Sequence, residues 1–263
     1  MEENEADFKN LYPSVYAHLL QFKDDLAKRN KEETGIRYEW YCLQRYGANY
    51  YHEFEKPILV WKDIGEHFAF AITKARTTCV NTVYFIASEL KNLQYFQAIL
   101  LSKLFDWYIR QISAKTGTGD MRLTTQNLEK LYIPKITIEN QNIAEKITQL
   151  SKELSQNSQE LLTVQKNFLQ ELQLEKIPQK LHNFDALDFD AFIKEYAKAL
   201  KIKFADKLEE RNFKQQWQRL FETDKQSVIK LKTQIQTANT AINQMVYQLY
   251  NLTDEEIKIV EQA

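Results

Sequence analysis

The chain is poor in the residues that punctuate or loosen a fold. It has 5 glycines and 4 prolines among 263 residues, which excludes long flexible linkers and low-complexity disorder. Cysteine occurs only as Cys42 and Cys79, each in an apolar or aromatic stretch. They are expected as small buried hydrophobes, not as a disulfide or metal ligands. No Cys/His cluster has zinc spacing. The opening MEENEADFKN is acidic and lacks the apolar stretch of a signal peptide. No apolar run approaches the roughly 20 residues of a membrane helix. A cytoplasmic location without membrane attachment is therefore expected. Neither charge sign prevails, since 35 Lys and Arg meet 36 Asp and Glu for a net charge of −1. Any surface that binds a polyanion has to be local.

What is present supports a substantial core, because 44% of residues are hydrophobic. The length fits one large or two small domains. Residues 1–138 hold all five glycines and most aromatics. Tyr12–Arg29 predicts a helix, with Val15, Leu19, Phe22 and Leu26 at helical spacing and Pro13 near its start. Pro57–Trp61, Phe68–Ile72 and Cys79–Ala87 predict strands, the last packing on both faces. The half reads as a small mixed sheet with helices.

From Glu139 onward turn-formers almost vanish. Ile143, Ile147, Leu150, Leu154, Asn157, Leu161, Val164 and Phe168 recur in steps of four and three. Leu231, Ile235, Ala238, Ile242, Met245, Leu249 and Leu252 do the same. This is the seam of a coiled coil, and the two segments, each about 35–40 Å long, are expected to pair antiparallel. A helical insertion at about 176–223 is expected to cap their far end, unless it is a solvated connector. The predicted class is α+β, with domains at 1–138 and 139–263.

The run from Leu93 to Ile136 is the most informative stretch. An apolar helix leads into a Gly/Thr loop, a short second helix follows, and Leu-Tyr-Ile-Pro reads as a strand. Such a loop cannot bury itself and presents its polar side chains from a rigid frame. It carries Lys115, Thr118, Asp120 and Arg122. A second polar segment runs Gln44-Arg45-Tyr46-Gly47-Ala48-Asn49-Tyr50-Tyr51. Arg, Gln and Asn offer the paired donors and acceptors that read base edges, and Lys and Thr suit phosphates. Tyr50 and Tyr51 are expected to pack in the core or sheet, and Trp40, Trp61 and Trp107 to be structural.

Catalytic patterns are missing. There is no G-x-G-x-x-G and no Asn-Pro-Pro-aromatic motif, and the glycine pair at Gly117–Gly119 follows a helix, a poor setting for a nucleotide cradle. Glu256-Ile257-Lys258 with Asp254 matches the acid–lysine triplet of a metal-dependent nuclease, but on a helix end where a strand is required. His18, His52, His67 and His182 are dispersed.

The 93–136 stretch, with Tyr12–Arg29, Trp40–Trp61, Thr77–Ser88 and Met245–Glu261 in order, resembles the TaqI-like C-terminal specificity domain of type IIG restriction–modification enzymes, which is related to type I specificity subunits. The resemblance implies a target-recognition domain for double-stranded DNA, working with an adenine-specific methyltransferase module and, in some members, an endonuclease. It places Gln44, Arg45, Lys115, Thr118 and Arg122 on the DNA-facing cleft, with Lys62, Lys74 and Arg76 as backbone clamps. S-adenosylmethionine is expected in the methyltransferase module and no cofactor in this chain. In such enzymes the catalytic modules come first, so the chain is expected to be a fragment, a split gene product or a separate subunit. The helices are expected to pack on that module or on a second copy. Where many relatives carry Arg-Arg or Arg-Ser, this chain has Leu43-Gln44-Arg45, so the target sequence is not inferable. The rival reading is a coiled-coil interaction module whose α+β head binds a protein.

Overall fold

The computed structural model describes residues 2–29, 39–42, 50–88, 92–117 and 119–262. It divides into two compact units, residues 1–57 with 75–78, and residues 58–74 with 79–263.

In the first unit, α1 (Glu2–Leu11) comes first, and α2 (Pro13–Leu20) and α3 (Lys23–Ala27) replace the single helix expected over Tyr12–Arg29. Pro13 takes the first helical position of α2, where a missing N–H is tolerated. α2 buries no residue, so no core holds a longer continuous stripe together. Two charged side chains organise the unit. The Glu5 carboxylate accepts from Tyr16 at 3.1 Å and from the Trp40 indole at 3.0 Å. The Arg29 guanidinium donates to the carbonyls of Leu26, Glu39, Trp40 and Cys42. Phe8 stacks on Tyr41 beside them, with ring centroids 5.4 Å apart. Tyr50 and Tyr51, expected to pack, are 47% and 60% exposed.

In the second unit, β1 (Leu59–Lys62) lies between β3 (Phe70–Ile72) and β4 (Val83–Ile86). Both pairings are antiparallel, with Trp61 opposite Phe70 and Tyr84. Strand β4 is shorter than expected, because Val80 is exposed and 79–82 form a loop. Leu59 and Trp61 point into the core and Lys62 points out, the alternation of a sheet with one covered face. The cover is α4 (Leu93–Leu100) and α5 (Lys103–Ile112). Residues 131–134 form no strand, and Tyr95 donates to the Pro134 carbonyl instead. Cys42 of the first unit and Cys79 of the second are half-buried and free, and burial raises both thiols above their ordinary pKa.

Two long helices follow, α7 (Gln141–Glu171) and α10 (Lys207–Leu249). Ala144 and Ile147 of α7 share a core with Ile242, Val246 and Tyr247 of α10. At the other end Phe168 meets Phe221 and Val228. The helices therefore run antiparallel, as the two periodic segments require, and the class is α+β. The near end of this hairpin joins the sheet, α4 and α5 in one core, so packing is continuous across residue 138. The second helix begins at Lys207, well before the expected end of the insertion at 223.

The far end has a core of its own. Helices α8 (Gln179–His182) and α9 (Phe189–Leu200) fold back on the hairpin. Phe184 stacks on Phe168 at 3.9 Å and Phe192 on Phe221 at 4.6 Å. Helix α11 (Asp254–Glu261) closes the near end against α5.

Gln97 on α4 is 6% exposed. Its amide nitrogen donates to the Phe70 carbonyl at 2.9 Å, and its oxygen accepts from Ser151 at 3.2 Å and Ser155 at 3.4 Å. A satisfied buried amide becomes a liability once one partner is removed. Gln97→Leu is expected to destabilise the chain by about 1–3 kcal/mol in urea unfolding, through the orphaned Phe70 carbonyl and buried Ser151 hydroxyl. A second expectation concerns pH. The Lys103 ammonium and then the Tyr247 phenol (2.8 Å) hold the Glu261 carboxyl below its ordinary pKa. Its contribution to stability is complete above the usual glutamate range. It is lost as pH falls through the depressed folded value. Glu261→Gln should flatten the acid limb of a stability profile measured from about pH 3 to 7.

Candidate functional site

Past Lys62 the chain leaves the three-stranded sheet and starts a second, smaller one. Strand β2 (Ile64–Gly65) pairs with β6 (Met121–Arg122), which pairs with β5 (Ala114–Lys115). Asp63 is the corner. Its backbone N–H donates to the Thr82 carbonyl at 3.0 Å, and its carbonyl accepts from the Leu123 N–H at 2.9 Å. The buried Trp61 indole donates to the Leu123 carbonyl at 3.0 Å, locking β6 to β1. Beyond β6, α6 (Thr125–Leu128) opens with a Thr124–Asn127 capping box, and the Asn127 amide also holds the Ile112 carbonyl at the end of α5. Both feet of the β5–β6 loop are thus clamped to the core. The loop closes through Thr116 N–H to Asp120 carbonyl (2.7 Å) and Gly119 N–H to Thr116 carbonyl (3.0 Å).

The ribbon sorts its charges by face. Arg122 lies opposite Ile64 and Ala114, whereas Lys115 lies opposite the buried Met121. Cross-strand partners share a face and neighbours along a strand do not, so Arg122 and Lys115 leave on opposite faces. The Arg122 guanidinium grips both carboxylate oxygens of Asp63, at 3.1 and 2.9 Å. That hydrogen-bonded pair, then the carboxylate charge, raises the arginine pKa further. Two of its five N–H donors are so occupied and the others face solvent. Lys62, exposed on β1, adjoins this corner.

The other expected contacts are spread out. Lys74 follows β3 beyond Ile72, which pairs with Leu59, so it lies at the opposite end of β1 from Lys62. Arg76 belongs to the first unit, with φ +63° and its guanidinium on Glu55 at 3.3 Å. Gln44, Arg45 and Thr118 lie outside the described residues. Lys62, Lys74 and Lys115 make no ion pair among the described residues. The structure adds Arg110, which holds Asp106 at 2.8 Å and the His67 imidazole Nδ1 at 2.9 Å. An i,i+4 acid–base pair was its only sequence signal. Asp63 had none beyond that of an acid between two apolar runs.

Among the described residues no group of His, Cys, Asp and Glu is placed to hold a metal ion. The Glu256 carboxylate of the nuclease-like triplet is taken up in the Thr253 capping box that starts α11. The site can bind by charge, by the free N–H donors of Arg122 and by the loop backbone.

Gly119 has φ +92°, which L side chains rarely adopt, while an added Cβ at Gly117 meets nothing within 4 Å. Gly119→Ala is expected to cost about 1 kcal/mol or more and to distort the loop. Gly117→Ala is expected to be nearly neutral. Thermal melts and hydrogen exchange of the 116–120 amides would separate the two.

Residues 15–134 match the family model described as the TaqI-like C-terminal specificity domain. Residues 136–246 match a domain of unknown function, DUF8810. No curated protein matches the chain. The first match spans the sheet, the ribbon, its clamped loop and α6, and the second spans the helical hairpin with its far cap. The segment 15–134 is accordingly similar to the TaqI-like C-terminal specificity domains.

Proposed function

We propose that this chain is the DNA sequence-recognition part of a restriction–modification system, holding a duplex so that an adenine-specific methyltransferase module, with or without an endonuclease, acts at one site. The observation that carries the reading is the specificity-domain match over the residues that build the clamped ribbon and loop. The ribbon corner has the right chemistry. Lys62 and Lys115 are exposed ammonium groups free for phosphates, and Arg122 keeps donors for a guanine edge. Lys74 would clamp the backbone elsewhere on the duplex. Arg76 would do the same by giving up an exposed ion pair worth little in water. Gln44, Arg45 and Thr118 complete the proposed contact set.

The methyl donor of such a reaction is S-adenosylmethionine. Gly117 and Gly119 sit in a β-hairpin loop and not between a strand and a helix. We assign the donor to the methyltransferase module, which flips the target adenine from the stack while this chain holds the flanking duplex. The helical hairpin packs on that module or on a second copy. Leu162 and Ile229, exposed on the two long helices, are apolar side chains that such packing would cover.

The test combines the purified chain with its methyltransferase module and measures which adenines become protected. Sequence-dependent protection is expected, and its absence would sink the reading. Arg122→Ala should broaden the sequence preference. Lys62→Ala and Lys115→Ala should weaken binding to all sequences alike, each lowering the slope of log affinity against log salt by about 1.

A further inference from the structure

A run of exposed cations lies at the far end of the hairpin, away from the ribbon. Between residues 194 and 211, Lys194, Lys198, Lys201, Lys203, Lys207 and Arg211 are all exposed. None makes an ion pair among the described residues. The four carboxylates of the stretch are all committed within the protein. Glu195 holds Lys180 at 2.8 Å and Glu210 holds Lys214 at 3.2 Å. Asp206 caps α10 by accepting from the N–H groups of Leu208 and Glu209, and Glu209 accepts from the Ala205 N–H. The Lys180 hydrogen bond first, with the charges of Lys198 and Lys194 adding to it, holds the Glu195 carboxyl below its usual range. Six cations against four carboxylates leave this stretch at a formal +2, in a chain whose net charge is −1.

The fold fixes where these cations stand. Lys194 and Lys198 are one turn apart on α9, and Lys207 and Arg211 are one turn apart on the first turns of α10. Lys201 ends α9 in the left-handed region, with φ +57°, and the chain reverses there. The aromatic core beneath holds the α9–α10 turn against the hairpin, with Tyr196 packed on Trp217 at 4.7 Å and Phe213 at 5.7 Å. From Val246, in the core beneath the sheet, to Lys207 the helix rises about 60 Å.

We propose that this tip is a second, sequence-independent contact for the phosphate backbone of duplex DNA. The proposal rests on the reading of the ribbon as a DNA-binding head. Five of the six cations at the tip are ammonium groups, which suit phosphates better than base edges. On a duplex lying along the arm, about 60 Å corresponds to roughly 17 base pairs at ~3.4 Å per pair. A short duplex gripped by the head does not reach the tip, and a long one does.

The experiment uses the full chain, mixed-sequence duplexes of about 12 and 40 base pairs, and the variant Lys198→Gln, Lys201→Gln, Lys203→Gln, Lys207→Gln. These side chains have no ion-pair partners to lose, and a circular-dichroism melt checks that the variant folds. On the long duplex, the variant should bind at least tenfold more weakly at low salt, and its salt slope should fall by about 2 to 4. On the short duplex the two proteins should match. Equal affinity and slope on the long duplex overturn the proposal. So does a variant that binds both duplexes normally but loses its methyltransferase module, which would make the tip a protein contact. Failure of the head reading shows separately, as absence of sequence preference on a randomised short duplex.

Discussion

The buried amide of Gln97 is the interaction on which the rest of the second unit depends. It joins three elements far apart in sequence: Phe70 on an edge strand, Gln97 on α4 and the Ser151–Ser155 turn of α7. The surrounding contacts are apolar and tolerate small slips, because dispersion and burial are non-directional. A hydrogen-bonded amide does not tolerate them. Sliding α7 by one residue would leave the buried Ser151 hydroxyl and the Gln97 oxygen without partners, at a penalty comparable to a large core truncation. The amide therefore adds register to a core that already has stability, a role buried polar groups fill elsewhere. Since α7 carries the rest of the hairpin, the register of one amide sets where everything beyond residue 138 stands relative to the sheet.

Rigidity at the ribbon has a different source. Two-residue strands cannot hold a loop by themselves. The loop is held because Asp63, Leu123, Trp61, Asn127 and Ile112 tie its feet to β1 and α5. The same Asp63 fixes Arg122 through its side chain. An arginine left free on a surface loses rotamer entropy when it meets a ligand, and one already held by a carboxylate has lost much of it in advance. The carboxylate also lowers the net charge at the corner, which works against simple attraction to a polyanion. The arrangement favours geometric definition over gross affinity.

The two long helices were legible because their apolar seams repeat over many turns and nothing interrupts them. All the expected seam positions from Ile143 to Phe168 lie on α7, facing inward to differing depth. The early start of α10 was not legible, for a physical reason. Between Phe213 and Phe221 the helix packs on α9 as well as the hairpin, so its apolar face is wider and no longer follows one heptad seam. The break in the helix expected over Tyr12–Arg29 was hidden in the same way, since periodicity reports a stripe but not whether anything covers it, and Val15 and Phe22 are exposed. At the site, the loop and its charged residues could be read off the chain. Their division between two faces could not, because Lys115 and Arg122 lie on different strands and only the pairing register decides which face each takes.

Near-neutral overall charge is no obstacle to binding a polyanion when the architecture separates the charges. Screening confines each cation's influence to about 10 Å at ordinary ionic strength. A phosphate near the α9–α10 turn then responds to the six cations and four carboxylates there and not to carboxylates farther along the hairpin. The helices hold this turn roughly 60 Å from the sheet core, several screening lengths away. Two cationic surfaces so spaced act as independent contacts on one long molecule, and their binding energies combine through the effective concentration that a stiff connector provides. A flexible connector of equal length would dilute that advantage, whereas a hairpin stabilised by an aromatic core at one end and a register-setting amide at the other preserves it. In the proposed binding mode, the length of the arm sets how much duplex must be present before both ends engage.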